Sequence, residues 1–305
     1  LLHENAGIRG RNWGPPMSYA ANLGRDEIII LLHSLDARDV EHAIGRAALQ
    51  GKIEAARLLH RLSGARQIAD GERGGPAYTI NAAGTRLLLE LGARLRDDDG
   101  KSLAPIDVVL QSDSRHSVDK HEILEMYAAR GVELPDTPTM ALHRGRIDLL
   151  EAHLARDPQL LRRTFAHEEI FPPAVGCGEV DPATQGTPLA GATLLHIAID
   201  FDDAEIVAWL LDRGADVNAR AAIDAAGFGG HTALFSTVVS QPAFWMNFRQ
   251  QAPRANYAKL LLEGGAEPNV RATLRKAVSN GRGPRVLREY RDVTPLSWGE
   301  RFDDQ

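Results

Sequence analysis

The residues best suited to chemistry are His167, Glu168 and Glu169, followed ten positions after His167 by Cys177, the single cysteine of the chain. An imidazole can carry a proton or ligate a metal, a carboxylate can orient it, and a thiol becomes a nucleophile beside a base. The spacing matches no established arrangement. A metalloprotease helix needs H-E-x-x-H, and the fourth position after His167 is Phe171. Cys177 lies between Gly176 and Gly178 without a recognisable signature, so a free, unreactive thiol is the simpler expectation. A metal set of His167, Glu168, Cys177 and Asp181 has no recognised spacing either. No catalytic residue, metal ligand or cofactor is therefore expected.

Other clusters have plain explanations. Asp97, Asp98 and Asp99 before Gly100 suit a turn ahead of a helix. Asp200, Asp202 and Asp203 lack the ligand spacing of a calcium loop. No phosphate-cradling G-x-x-x-x-G-K-[ST] or G-x-G-x-x-G stands between a strand and a helix, and Gly227-Phe228-Gly229-Gly230 suits a loop tip. The sharpest electrostatic feature is basic: Arg271, Arg275, Lys276, Arg282, Arg285, Arg288 and Arg291. Two readings stand side by side for it. The cluster receives an acidic peptide or phosphate group, or it is a solvated loop paired with neighbouring Asp and Glu. Phe244, Trp245 and Phe248 are either an exposed anchor or packing for their own segment.

Composition narrows the function classes. The 305 residues carry a net charge of −6, which argues against a nucleic-acid partner. No apolar run approaches the roughly 18 residues of a membrane helix, so no membrane association is expected. With one cysteine and no visible signal peptide, the expected localisation is cytoplasmic.

The elements that would position these groups are clearest in Gly191–Asn218. Ala192, Leu194, Leu195, Ala198 and Ile199 fit one face of a short helix. Ile206, Val207, Leu210 and Leu211 form a second stripe of helical period, closed by Gly214-Ala215. Degenerate copies surround this unit, each with two short helices and several with a Gly-Ala terminus. A first helix is expected within 14–21, 42–48, 78–83, 138–143 and 230–235, and Thr294-Pro295-Leu296 opens a last, incomplete copy. Thr193, Leu195, His196 and Ala198 match the T-P-L-H-x-A signature of a unit of about 33 residues, with Leu194 in place of proline.

The chain thus resembles the ankyrin repeat family, most closely over 191–270. The resemblance implies an all-α, ankyrin-like helical repeat solenoid with extended hairpin-finger loops, a single array over 1–305. Its approximate repeats are 13–39, 40–70, 71–98, 99–136, 137–163, 190–221, 222–270 and a partial 271–305, with a long insertion at 164–189. It also implies a structural role for His196, as a hydrogen-bonding link between adjacent turns.

In such a unit, an insertion after the second helix enlarges the finger edge, and one between the helices enlarges the opposite edge. The stretches 164–189, 220–230 and 271–292 fall on the first edge, 111–120 and 240–256 on the second. The implied function is a non-catalytic protein-binding module that takes a protein or peptide partner on its concave face and fingers. Candidate binding residues are His167, Glu168, Phe171, Phe228, Arg271, Arg275 and Arg282. The alternative is an enzyme, or a metal or small-molecule binder, with its site under the 164–189 insertion and built from His167, Glu168 and Cys177. At the end of the chain, Trp298 and Phe302 would be left partly exposed unless further residues cover them.

Overall fold

A computed structural model describes residues 15–68, 73–112, 114–178, 186–238, 256–278 and 286–303. Arg282, the 240–255 aromatic segment and the tip of the 164–189 insertion lie outside the described residues. The fold is a helical repeat whose one sheet, among the described residues, has two strands. Contacts divide the chain into two compact units, Leu1–Ser112 with Glu122–Glu133, and Asp113–His121 with Leu134–Gln305.

The first unit opens with α1 (Pro16–Leu23) and α2 (Asp26–Ser34), then α3 (Val40–Leu49) and α4 (Ile53–Leu62). Pro16 occupies a first-turn position, where its missing N–H costs nothing. The α1–α2 turn is made by Gly24 at φ 66°, with Gly24 N–H bonded to the Ala21 carbonyl and Arg25 N–H to that of Ala20. The same turn recurs at Gly51, where the chain reverses into α4. Met17, Ile29, Ala43, Ile44, Leu59 and Leu87 share one core.

The third pair departs from expectation. Its first helix, α5 (Gly74–Tyr78), lies earlier than 78–83, because Ile80 makes the left-handed turn at φ 51°. Asn81 then caps α6 (Ala82–Glu90), its Oδ1 accepting from the Gly84 N–H. Next come α7 (Ile106–Leu110) and α8 (Ser117–Ala128). The expected loop 111–120 is shorter than its polar sequence suggested, since α8 begins at Ser117. Arg115, His116, Asp119 and Lys120 are all buried.

In the second unit, α9 (Pro138–His143) and α10 (Ile147–Arg156) form one pair, and α11 (His167–Ile170) is a single turn within the long insertion. The matched stretch forms α12 (Leu194–Asp200) and α13 (Ala204–Asp212), turned by Asp202 at φ 56°. Ala233–Val238 is a 3-10 helix where an α-helix was expected, followed by α14 (Asn256–Glu263). The last finger is a regular hairpin of β1 (Ala272–Val278) and β2 (Val286–Val293), antiparallel, pairing Leu274 with Tyr290 and Lys276 with Arg288. The chain closes with α15 (Pro295–Asp303). Trp298 is not left exposed: it is fully buried and packs edge-on against Tyr290 of β2, centroids 4.9 Å apart, beside Phe235, Leu274 and Val293. The hairpin thus covers the Trp298 ring.

Candidate functional site

Backbone hydrogen bonds join the fingers of the second unit into a ladder. Phe165 N–H donates to the Ala192 carbonyl (2.9 Å) and Gly191 N–H to that of Phe165 (2.8 Å). Ala222 N–H continues to Gly191 (2.8 Å), and Gly229 N–H reaches the Thr273 carbonyl of β1 (2.8 Å). The Arg220 guanidinium ties the same strip together through the carbonyls of Gly230 and Arg271. Gly229 is required there. It sits at φ 125°, and a Cβ would lie 2.1 Å from the Ala222 carbonyl oxygen.

Three of the predicted binding residues meet on this ladder. Phe228, 8% exposed, lies under the Arg275 guanidinium (4.6 Å to the ring centroid) and near that of Arg291 (5.8 Å). Arg275 also pairs with Asp224 at 2.5 Å. The Asp224 carboxyl is held below its ordinary range, first by the Phe228 N–H it accepts and further by the Ala226 N–H and Arg275. Arg271 pairs with Asp292 at 2.6 Å, both side chains largely exposed. For these two arginines, pairing with acids on the same and neighbouring fingers is what the geometry shows. Lys276 leaves the basic surface altogether: it is fully buried and its amine donates to the Gly186 carbonyl.

The other predicted residues gather on and near α11, where a groove of about 400 Å³ opens against the start of α9. Glu168 is exposed on its rim, with Asp136, Asp157 and Glu169. Leu160, Phe165, Pro138 and Pro172 supply apolar lining. Phe171 turns inward, its ring against His143 (6.0 Å) and His167 (5.0 Å), so it fixes α11 rather than offering a surface. His167 is half-buried on that ring. Cys177 is buried. Among the described residues, no three His, Cys, Asp or Glu side chains are grouped to hold a metal.

The most unusual polar cluster was not anticipated as a site. Arg115 and Asp200, 4% and 1% exposed, form an ion pair at 2.9 Å. Lys120 Nζ lies 2.6 Å from His143 Nδ1 and 3.4 Å from the centre of the Phe201 ring. His143 Nε2 is 2.9 Å from the Ile170 carbonyl, an acceptor only. That contact assigns the imidazole proton to Nε2 and leaves Nδ1 to accept from Lys120. Burial, and then the Arg115 charge, hold the Lys120 amine well below the ordinary lysine range; Asp203 and Asp200 oppose them. Burial, and then Lys120, hold His143 well below the ordinary imidazole range. His121 completes the cluster on Asp203 at 2.8 Å. The stretch 114–121 is thereby fastened to the α12–α13 turn, with Ser117 Oγ also donating to the Asp202 carbonyl.

Paired short helices with recurrent left-handed turns define a helical-repeat protein. Within it, His196 Nδ1 accepts from the Thr193 backbone N–H (3.4 Å) and lies 2.8 Å from Thr193 Oγ1, while Nε2 donates to the His231 carbonyl of the next unit at 3.2 Å. This is the link between adjacent turns that the sequence resemblance implied. Residues 190–222 match the ankyrin repeat family model, so the chain carries an ankyrin repeat. The chain is also similar to a human protein of known structure, the ASB11 ankyrin repeat domain. The two are 19% identical, and the match covers 84% of this chain and 100% of that one at a TM-score of 0.36. No curated protein matches the chain. Ankyrin repeats are generally protein–protein interaction modules. Among the described residues, no helix is long and apolar enough to cross a membrane.

Proposed function

We propose that the protein is a non-catalytic binding module that takes a protein or peptide partner along the concave face and extended fingers of its second unit. The observation that carries this reading is the finger ladder. Hydrogen bonds from Phe165 through Ala222 to Thr273 hold successive fingers in register, so their exposed side chains form one pre-ordered strip. Exposed Val286, Leu287 and Arg288 on the last hairpin, with exposed Ile223 on the preceding finger, give that strip apolar and cationic character. The net charge of −6 favours a protein partner over a nucleic acid. The single cysteine, buried and in no disulfide, suits a reducing compartment such as the cytoplasm.

The test is capture of partners from the source cells by the full chain and by an Arg271→Glu, Arg288→Glu variant. The variant is expected to keep its thermal unfolding midpoint and to lose the partners the parent protein retains. An unchanged set of captured proteins would remove the hairpin finger from the account.

A further inference from the structure

The finger ladder ends on a strand whose outer edge is open. β1 is bonded on one side to Gly229 of the preceding finger, through Thr273, and on the other to β2. A strand paired along one edge turns alternate N–H and C=O groups away on the other. Among the described residues, the backbone of 286–291 bonds to nothing beyond β1. We propose that this edge of β2 receives an extended partner segment of alternating acidic and apolar residues as an added strand, an inference that rests on the protein-binding reading above.

Native edge strands are commonly kept from pairing by bulges, charges or shortness. In this hairpin the irregularity lies at the base, where the register shifts between Ala272 and Leu274. From Leu274 opposite Tyr290 to Val278 opposite Val286 the pairing is unbroken. At the far end of that run, Val286 and Leu287 are 55% and 53% exposed. A regular edge with exposed apolar residues is a template for another strand.

Side-chain alternation sets the chemistry of the added strand. Val286, Arg288 and Tyr290 share one face of β2, and Leu287 and Glu289 the other. The hairpin sequence 271–293 carries seven Lys or Arg against two acids, Glu289 and Asp292. Arg271 is committed to Asp292, Arg275 to Asp224 and Arg291 to Glu289, while Lys276 is buried. Arg288 is exposed and has no ion pair among the described residues. A carboxylate beside it gains a cross-strand partner. On the opposite face an apolar residue packs on Leu287, and an acid there would meet Glu289. Successive residues of the added strand are therefore acidic and apolar in turn.

The edge is held in place before anything binds. Gly229 N–H fixes β1 at the Thr273 carbonyl, Arg220 bonds the Arg271 carbonyl, and Tyr290 of β2 rests on the buried Trp298. A template already ordered loses little further entropy on binding.

The probe is the peptide Ac-Val-Glu-Val-Glu-Val-Glu-Val-NH₂, added at millimolar concentration to the isotopically labelled full chain, with amide hydrogen exchange as the readout. At saturation, alternate amides of 286–291 are expected to exchange at least about tenfold more slowly, the pattern of one newly paired edge. Arg288→Glu is expected to weaken the peptide at least about fivefold, and Ac-Val-Lys-Val-Lys-Val-Lys-Val-NH₂ to give no protection. No slowed exchange on β2, equal protection by both peptides, or an unweakened variant would overturn the proposal. So would slow exchange of those amides in the free chain: independent of concentration, it means that the chain covers its own edge, and rising with concentration, that a second copy does. Capture of partners that is lost in the Arg271→Glu, Arg288→Glu variant, with β2 unprotected by the peptide, would overturn strand addition and keep the finger reading. Protection of β2 by the peptide with an unchanged set of captured proteins would support the open edge and remove the capture reading.

Discussion

The stretch 114–121 and the hairpin 272–293 are both polar, both rich in cations, and both look like loops in sequence. Their physical roles differ. In the first, Arg115, Lys120 and their partners are nearly excluded from water, and each meets a group distant in the chain: Asp200, His143 or Phe201. In the second, Arg271 and Asp292 are 61% and 71% exposed and lie within the same hairpin. A buried pair resists loss of one partner, because the other is stranded without solvent, whereas an exposed pair is replaced by water at little cost. The comparison separates residues that hold the fold from residues free to meet a partner. The charge-rich interior belongs to the first kind and the fingers to the second.

Removing one charge from the interior is the severest way to break this contrast. Asp200→Asn strands Arg115 in a site it cannot leave, and a loss of about 3–5 kcal/mol is expected in urea unfolding. A loss below about 1 kcal/mol would mean that the pair is solvated in solution.

Acid should act on the interior in the same direction. Burial lowers His196 to about 4, and burial together with His196 lowers His231 to about 3. Both are depressed below the ordinary value near 6.5, so the unfolded chain binds their protons first. Their contribution to stability is complete above that value and falls away as pH drops from about 6.5 toward 4. For His196 this amounts to on the order of 3 kcal/mol. His143 shifts in the same direction and adds to the loss, while the lowered Lys120 contributes a decline that begins below its own ordinary value near 10.5. Unfolding free energies measured between pH 7.5 and 4.5 should decline steadily, and a flat profile would contradict the buried neutral histidines.

The fingers should respond weakly. Arg275→Ala removes a half-exposed pair with Asp224 and a cation on Phe228, with an expected cost of about 0.5–1 kcal/mol. Arg271→Ala, more exposed still, should cost less than about 0.5 kcal/mol. A thermal midpoint that fell as far in either variant as in Asp200→Asn would erase the distinction.

Much of the fold was legible in the sequence for a simple reason: many inter-helix turns and helix ends fall on glycine, the residue with the widest conformational freedom. Gly24, Gly51, Gly92 and Gly214 announce turns because they take positive φ without strain. Where another residue takes that conformation, the signal fails. Ile80 at φ 51° concealed one inter-helix turn and moved the expected helix several residues late.

The hairpin was foreseeable from the alternation of Ala272, Leu274 and Lys276 on its buried side, but Lys276 disguised the pattern by placing an amine where an apolar residue is usual. The burial of 114–120 had no local signal. Polar residues at the start of a helix normally face water, and partners distant in the chain, Asp200, Asp202 and His143, draw these inside. Of the candidate site residues, Glu168 and Arg271 lie exposed and Arg275 half-exposed, while Phe171 is drawn inward by a helix of a single turn.

The most direct test of the central claim is hydrogen exchange of the full chain, alone and with a captured partner bound. Protection is expected at the finger amides of 220–230 and 271–293, with exchange at Arg115, Lys120 and the α12–α13 turn unchanged. Protection confined to helices of the first unit, with the fingers exchanging as in the free protein, would contradict it.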